Sequence, residues 1–230
     1  MRDLAYTVSS DEFFEPLLGL EGPDLLEAAT RDVFPGRIAV TSSFGAESAL
    51  LLDMVARIDP ATPVIFLDTG KLFPETLEYK RLLEQRLGLS DIRVIQPEKE
   101  EVQNADPGGR LFEVDHDACC DLRKAQPLQK ALNGFDAWIT GRKQFHGGER
   151  SALPSVEWAE GRMKINPLAG WSASAVDEAY DQRGLPRHPL TFDGYLSLGC
   201  APCTNKSTCG DSIRAGRWTG SQKTECGIHR

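Results

Sequence analysis

Arg37-Ile38-Ala39-Val40-Thr41-Ser42-Ser43-Phe44-Gly45-Ala46-Glu47-Ser48 reads as a short strand, a turn of small residues and the start of a helix. The helix that follows carries Leu51, Leu52, Val55 and Ile58 on one face, widened by Leu50 and Met54, as expected for packing on a sheet. A parallel sheet presents its ligand at such a junction, between the carboxyl end of a strand and a helix N-terminus. Gly and Ser let the backbone approach closely, amide N–H groups and the helix dipole attract an anion, and hydroxyls at 42, 43 and 48 add donors. The loop lacks the Gly-Lys-Ser/Thr ending of a Walker loop and is not G-x-G-x-x-G. Taken alone, it is equally readable as an ordinary capped helix start.

Working outward, Pro23 and Asp24 suit the first turn of a helix through Leu25, Leu26 and Ala29, which Pro35-Gly36 stops. Residues 1–22 are polar with scattered Phe and Leu, an arm or a short helix. Downstream, Pro63-Val64-Ile65-Phe66-Leu67 is a continuous apolar run of the kind found in buried parallel strands. Pro74 then opens a helix aligning Tyr79, Leu82, Leu83 and Leu87, with Gly88 as its C-cap. Ile92-Arg93-Val94-Ile95 makes a third strand and Ala137-Trp138-Ile139-Thr140 a later one. Residues 156–165, broken at Glu160-Gly161, read as a hairpin near the edge. Strands alternating with crossover helices predict an α/β fold, a mostly parallel sheet with helices on both faces. After Leu198 the texture changes. Residues 204–230 hold almost nothing large and apolar beyond Ile213, Trp218 and Ile228, too little to offset the entropy of ordering. The expectation is an α/β domain over 1–203 and a tail over 204–230 that moves unless something docks it.

With 230 residues, 40% hydrophobic and 26% charged, the chain suits one domain with a full core. No run approaches the roughly 20 apolar residues of a membrane span. The opening MRDLAYTVSSDEFFEPLL shows no basic segment followed by an apolar stretch, so a cytoplasmic location is expected. The net charge of −8 argues against a nucleic-acid coat and for a small-molecule task. Six cysteines in a reducing compartment then point to metal ligation or redox chemistry rather than structural disulfides.

Cys119-Cys120 followed by Cys200-Ala-Pro-Cys203 is the most informative constellation. A lone CxxC is a redox pair or half a zinc site. Adjacent cysteines are awkward for one tetrahedral ion, whereas an iron–sulfur cluster offers each ligand a different iron. Spacing alone leaves zinc open as the alternative. Cys209 matches no pattern and reads as an incidental loop thiol. Cys226, in Glu225-Cys226-Gly227-Ile228-His229, lies on the polar tail, where packing explains it poorly. With His and Arg nearby it would be a thiolate-rich nucleophile on a tether, the bland alternative being an exposed spectator.

Positive charge gathers around these thiols. Residues 200–230 contain five basic groups against two acidic ones inside a chain of net negative charge. Arg214 and Arg217 present guanidinium forks that match sulfate and phosphate oxygens. Lys124 follows Cys120 by four residues, and Gly141-Arg142-Lys143 and Arg150 follow another strand end. Together they favour an oxyanion substrate, although each alone reads as a solvated surface charge. His116, His146 and His188 carry no specific signal and are assigned no role.

SSFGAES at 42–48, LDTGKLFPET at 67–76, CCDLRK at 119–124, TGRKQFHGGER at 140–150, GCAPCT at 199–204, RAGRW at 214–218 and ECGIH at 225–229 appear in this order. As a set they resemble the assimilatory adenylyl-sulfate (APS) reductases, a branch of the PAPS reductase family within the adenine-nucleotide alpha hydrolase-like fold. The resemblance implies a nucleotide-binding domain in which Ser42, Ser43, Gly45 and Glu47 receive the phosphosulfate. Leu67 and Gly141 would contact adenine through the backbone, while Lys124, Arg150, Arg214, Arg217 and His229 surround the phosphosulfate and the incoming thiol. It implies Cys226 as the nucleophile that takes the sulfonate, thioredoxin or a glutaredoxin-like dithiol as donor, and a [4Fe–4S] cluster on Cys119, Cys120, Cys200 and Cys203. The oligomeric state stays open, a homo-oligomer included. Members of this group commonly carry Arg after GCAPCT and a Trp-rich stretch after Arg217-Trp218. Here Asn205 and Thr219-Gly220 stand in those places.

Three rival readings remain. A PAPS reductase would take the 3′-phosphorylated nucleotide, but cluster-free members of that type lack the paired cysteines. A ligase or sulfurtransferase of the same fold would consume ATP and leave ECGIH without a purpose. A non-catalytic cluster- or zinc-bearing nucleotide sensor would explain the four thiols and treat Cys226 as decoration.

Overall fold

The computed structural model describes residues 14–207 and 212–229. Most of the N-terminal arm and Cys209 therefore lie outside the described residues. Six strands form one sheet: β1 (Ile38–Thr41), β2 (Val64–Leu67), β3 (Ile92–Ile95), β4 (Ala137–Ile139), β5 (Val156–Ala159) and β6 (Arg162–Ile165). Their order is β3-β2-β1-β4-β6-β5, and every pairing is parallel except the β5–β6 hairpin. The chain runs from β1 outward to β3 and then returns to place β4 on the other side of β1. The reversal puts a topological switch point at the carboxyl ends of β1 and β4, where open parallel sheets bind ligands.

Alternation along the strands gives two apolar faces. Val40, Phe66, Ile139 and Ile165 belong to the larger core, whereas Ala39, Ile65 and Trp138 face a smaller one. The larger core is covered by α1 (Gly22–Glu27), α2 (Ser48–Ile58), α3 (Pro74–Leu87) and α8 (Ala173–Arg183). Between α3 and α8 come α4 (Lys99–Ala105), α5 (Leu111–Val114), α6 (His116–Cys120) and α7 (Gln126–Ala131). Leu128 of α7 and Leu132 just beyond it cover the other face. Helices therefore flank both sides, as the strand–helix alternation predicts.

Pro74 stands in the first turn of α3, and Gly88 closes it at φ 66, the left-handed conformation that glycine adopts without cost. One residue departs from the predicted face: Tyr79 and Leu83 are buried, but Leu82 points to solvent. A position one step from Leu83 is turned about 100° around the helix, and on α3, unlike α2, that side is not covered. A second departure lies at the start of α2. No side chain of its own segment caps it; instead Tyr180 Oη of α8 accepts the Ala49 N–H at 3.2 Å and donates to Ala46 O at 3.3 Å. The ligand-edge loop is thus tied to a helix 131 residues away.

His188, assigned no role from sequence, is a fully buried structural group. Its Nδ1 accepts the Leu190 N–H at 3.2 Å, so Nε2 carries the proton and faces Thr76 Oγ1 at 3.1 Å. Burial pushes its pKa down to about 4. A depressed folded-state value means that stability is fully present above the unfolded value of about 6.5 and is lost as pH falls toward 4. Urea unfolding of the parent and of His188→Gln should therefore differ most near neutrality, the difference shrinking as pH drops through that window. A pH-independent difference would remove His188 from the account. Among the described residues, no helix is long and apolar enough to cross a membrane.

Candidate active site

The loops after β1 and β4 open into one cavity at the switch point. Ser42, Ser43, Gly45 and Glu47 line it from the first loop, Leu67 from the end of β2, and Gly141 and Arg150 from the segment after β4. Lys124 reaches it from the turn after α6; Arg214, Arg217, Cys226 and His229 enter it from the tail. The structure brings together every substrate-contact and nucleophile residue expected from the sequence. Cys119, Cys120, Cys200 and Cys203 line a second, smaller pocket with Arg123 and Lys71, and Lys124, Arg217 and Trp218 border both.

The described part of the tail is seated on the body. Trp218, one of the few apolar residues the tail offers, is buried with Cys203 and Cys226, while Ile228 and Phe112 pack against them. Arg217 and Arg214 lie over the Trp218 ring at 4.4 and 5.4 Å, stacking that composition alone does not reveal. Thr204 and Arg217 pair as an isolated bridge, and Trp218 N–H donates to Cys203 O at 3.1 Å. Two glycines make the approach possible. A Cβ on Gly199 would meet Arg217 Nη2 at 2.2 Å, and one on Gly216 would meet Asn205 O at 2.2 Å. The two places where the sequence departs from the APS reductases also touch each other, Asn205 Nδ2 donating to Thr219 Oγ1 at 3.1 Å. They close the same turn.

Glu47 is held by Lys143 Nζ at 2.9 Å and His146 Nε2 at 3.0 Å. Burial would raise its carboxyl, but Lys143 and His146 outweigh this and hold it down at about 2. His146 Nδ1 faces Arg150 Nη1 at 3.1 Å, so it accepts there and donates from Nε2 to Glu47. Burial keeps it neutral by lowering its pKa. Arg150 then grips Glu225 through Nε at 2.5 Å and Nη2 at 2.8 Å, and Arg214 adds a bond at 3.1 Å. A continuous chain runs from the ligand-edge loop to the residue before Cys226.

Cys226 is buried, and its thiol is held well below the usual range, chiefly by a hydrogen bond from Cys120. Burial opposes this, whereas Lys124, the Ile228 N–H and Arg217 reinforce it. The Cys120 contribution requires a protonated Cys120; the other three do not. Burial would lower Lys124, but Cys200, Cys226 and Cys120 around it raise it, so it stays charged. His229 is stacked on Trp138, ring centroids 6.0 Å apart and 9° from parallel. Burial and the surrounding cations, Arg142 and Lys164 foremost, keep it neutral.

The second pocket suits thiolates that something neutralises. Burial pushes the Cys119 and Cys203 thiols up, and neighbouring cysteines add to it, so bare thiolates are unfavourable there. No three His, Cys, Asp or Glu among the described residues converge as a single ion would require. Cys119 and Cys120 end α6 and share one pocket with Cys200 and Cys203, a set of four thiols that a polynuclear group can use as separate ligands.

Sequence reasoning missed His146, Glu225 and Trp138. No spacing rule marks His146, whose partners lie on a different element. Glu225 stood in a quoted motif, but only the fold shows what it binds. Trp138 reads as a core strand residue until the tail stacks on it.

The chain matches the phosphoadenosine phosphosulfate reductase domain family over residues 37–206. It is 48% identical to the adenosine 5'-phosphosulfate reductase of Mesorhizobium japonicum, covering 90% of this chain and 81% of that protein. It is 40% identical to the protein of that name from Streptomyces coelicolor, covering 86% and 84%. A phosphoadenosine 5'-phosphosulfate reductase from Gloeobacter violaceus is 38% identical over 90% of this chain and 88% of its own. Among solved structures, the phosphoadenylyl-sulfate reductase of Candida auris in phosphate complex superposes with a TM-score of 0.72 at 27% identity. It covers 86% of this chain and 98% of that one. The Candida glabrata FMN adenylyltransferase shares the fold alone, with a TM-score of 0.56 at 13% identity, covering 88% and 76%.

Proposed function

The chain belongs to the phosphoadenosine phosphosulfate reductase family, and from that premise we propose that it reduces adenylyl sulfate to sulfite and AMP through Cys226. One observation carries the reading: a tail thiol is buried beside Lys124 and Arg217, where a cationic strand-end cavity meets a four-cysteine pocket. An oxidoreductase of this kind serves sulfate assimilation toward cysteine biosynthesis, in the cytoplasm.

Ser42, Ser43, Gly45 and Glu47 take the phosphosulfate side of the nucleotide, with Leu67 and Gly141 contacting adenine through the backbone. Lys124, Arg150, Arg214, Arg217 and neutral His229 surround the anhydride. Cys226 Sγ attacks the sulfonyl sulfur; the S–S bond forms as the S–O bond to phosphate breaks, and AMP leaves with that electron pair. Cations fixed before the reaction stabilise charge developing on the leaving phosphate without reorganising. The S-sulfocysteine is then attacked at Cys226 Sγ by a thiolate of thioredoxin or a glutaredoxin-like donor. Sulfite departs with the S–S electrons, and the donor's second thiol resolves the mixed disulfide. This second step needs the adduct to leave the cavity, so the tail must undock.

Cys119, Cys120, Cys200 and Cys203 would hold a [4Fe–4S] cluster. When bound it supplies a fixed charge beside Lys124 and so sets the field at the Cys226 thiolate.

Incubating the reduced protein with APS labelled in its sulfonate, without donor, should place label on Cys226 in a form that a dithiol releases as sulfite. Intact APS binding with no adduct would favour the nucleotide sensor. The PAPS reductase reading is supported by the Gloeobacter relative; a higher kcat/KM for the 3′-phosphorylated nucleotide would establish it over APS.

A further inference from the structure

We propose that Glu225 occupies, in the docked tail, the anion site that Arg150 and Arg214 offer to substrate, so that substrate binding and loosening of the tail are one exchange. The identity of the anion rests on the function proposed above; the exchange itself rests on geometry.

Glu225 is buried although it lies on a polar segment, and both carboxylate oxygens are committed. Oε2 accepts Arg150 Nε at 2.5 Å. Oε1 accepts Arg150 Nη2 at 2.8 Å, Arg214 Nη2 at 3.1 Å and the backbone N–H of Cys226 at 2.8 Å. The remaining Arg150 nitrogen, Nη1, is turned to His146 Nδ1 at 3.1 Å. Glu225 thus takes the Nε/Nη2 edge of Arg150, the edge on which an oxyanion would be held by two parallel bonds. Yet Arg150 and Arg214 both line the substrate cavity.

Two guanidinium groups so close in a partly buried space repel one another. Burial and Arg150 together bring Arg214 down to about 10. A negative group between them relieves this, and a carboxylate from the tail does so when no substrate is bound. A sulfate or phosphate group matches the same forks and carries more charge. Its arrival on the Nε/Nη2 edge of Arg150 displaces Glu225. The Cys226 N–H then loses its acceptor, and the Arg214 bond to Thr224 O, made by the same Nη2 at 3.0 Å, is loosened with it. Linkage makes the exchange reciprocal: a Glu225 that docks the tail weakens anion binding by the factor with which the anion weakens docking.

The test compares Cys226→Ser, which cannot turn over, with Cys226→Ser/Glu225→Gln, each titrated calorimetrically with APS and separately with inorganic sulfate. Gln keeps the size and an acceptor for the Cys226 N–H but removes the charge. The expected result is about fivefold or greater tightening of both ligands in the double variant. Equal or weaker binding of both would show Glu225 to be a support for the arginines and overturn the proposal. In a second measurement, inorganic sulfate should accelerate N-ethylmaleimide labelling of Cys226 in the parent, whereas Glu225→Gln labels rapidly without it. Sulfate-insensitive labelling in the parent would equally overturn it. Failure of the proposed function would look different: no APS-derived adduct on the parent, with sulfate still bound more tightly once Glu225 is neutral.

Discussion

Cys226→Ser should lower sulfite release from APS by about 10³-fold or more while leaving APS binding intact. Two separate losses add up. A serine hydroxyl stays protonated where Lys124, the Ile228 N–H and Arg217 favour the thiolate of Cys226, so the attacking species nearly disappears. Even a sulfated serine would not complete the cycle, because a dithiol donor delivers its electrons by cleaving an S–S bond and an O–S ester offers none. Binding should hold or tighten slightly, since the substitution removes a negative charge beside an anion. Sulfite release measured with saturating donor, together with calorimetric APS binding, checks both halves. Parental rates in this variant would leave the sensor or another nucleophile as the explanation.

The sheet was readable because its strands are continuous apolar runs separated by helical crossovers, and the alternation of Val40 with Ala39 or Phe66 with Ile65 needs no tertiary knowledge. The cavity was readable because parallel topology places the ends of β1 and β4 together, whatever the side chains are. The docked tail was not. Its apolar content is too small to predict order, and what seats it is Trp218 packed with Cys203 and Phe112 and Glu225 bound to Arg150, contacts with segments far from the tail in sequence. The same limit hid the Tyr180 cap on α2 and the role of His146. Local spacing reports which face of an element is apolar; it carries no information about which distant polar group meets it.

Replacing Cys203 by Ser should remove protein-bound iron and sulfide together with the visible absorption, and lower activity by at least about a hundredfold. The four thiols share one small pocket bordered by Arg123, Lys71, Lys124 and Arg217. Without a bound group, burial drives Cys119 and Cys203 toward the neutral thiol, although the pocket is ringed with cations. The proposed iron–sulfur group would resolve that mismatch by deprotonating the cysteines beside Lys124 and Arg217. The activity loss follows from the pocket's neighbours. Cys203 packs directly against Trp218 and Cys226, and its carbonyl accepts the Trp218 N–H. Disturbing it therefore shifts the seat of the nucleophile as well as the charge beside Lys124. Iron and sulfide analysis separates the two contributions, since a variant that keeps its iron but loses activity has lost only the packing. An iron-free protein with full turnover would remove the cluster from the mechanism, and a zinc-loaded, colourless parent would replace it with the single-ion alternative.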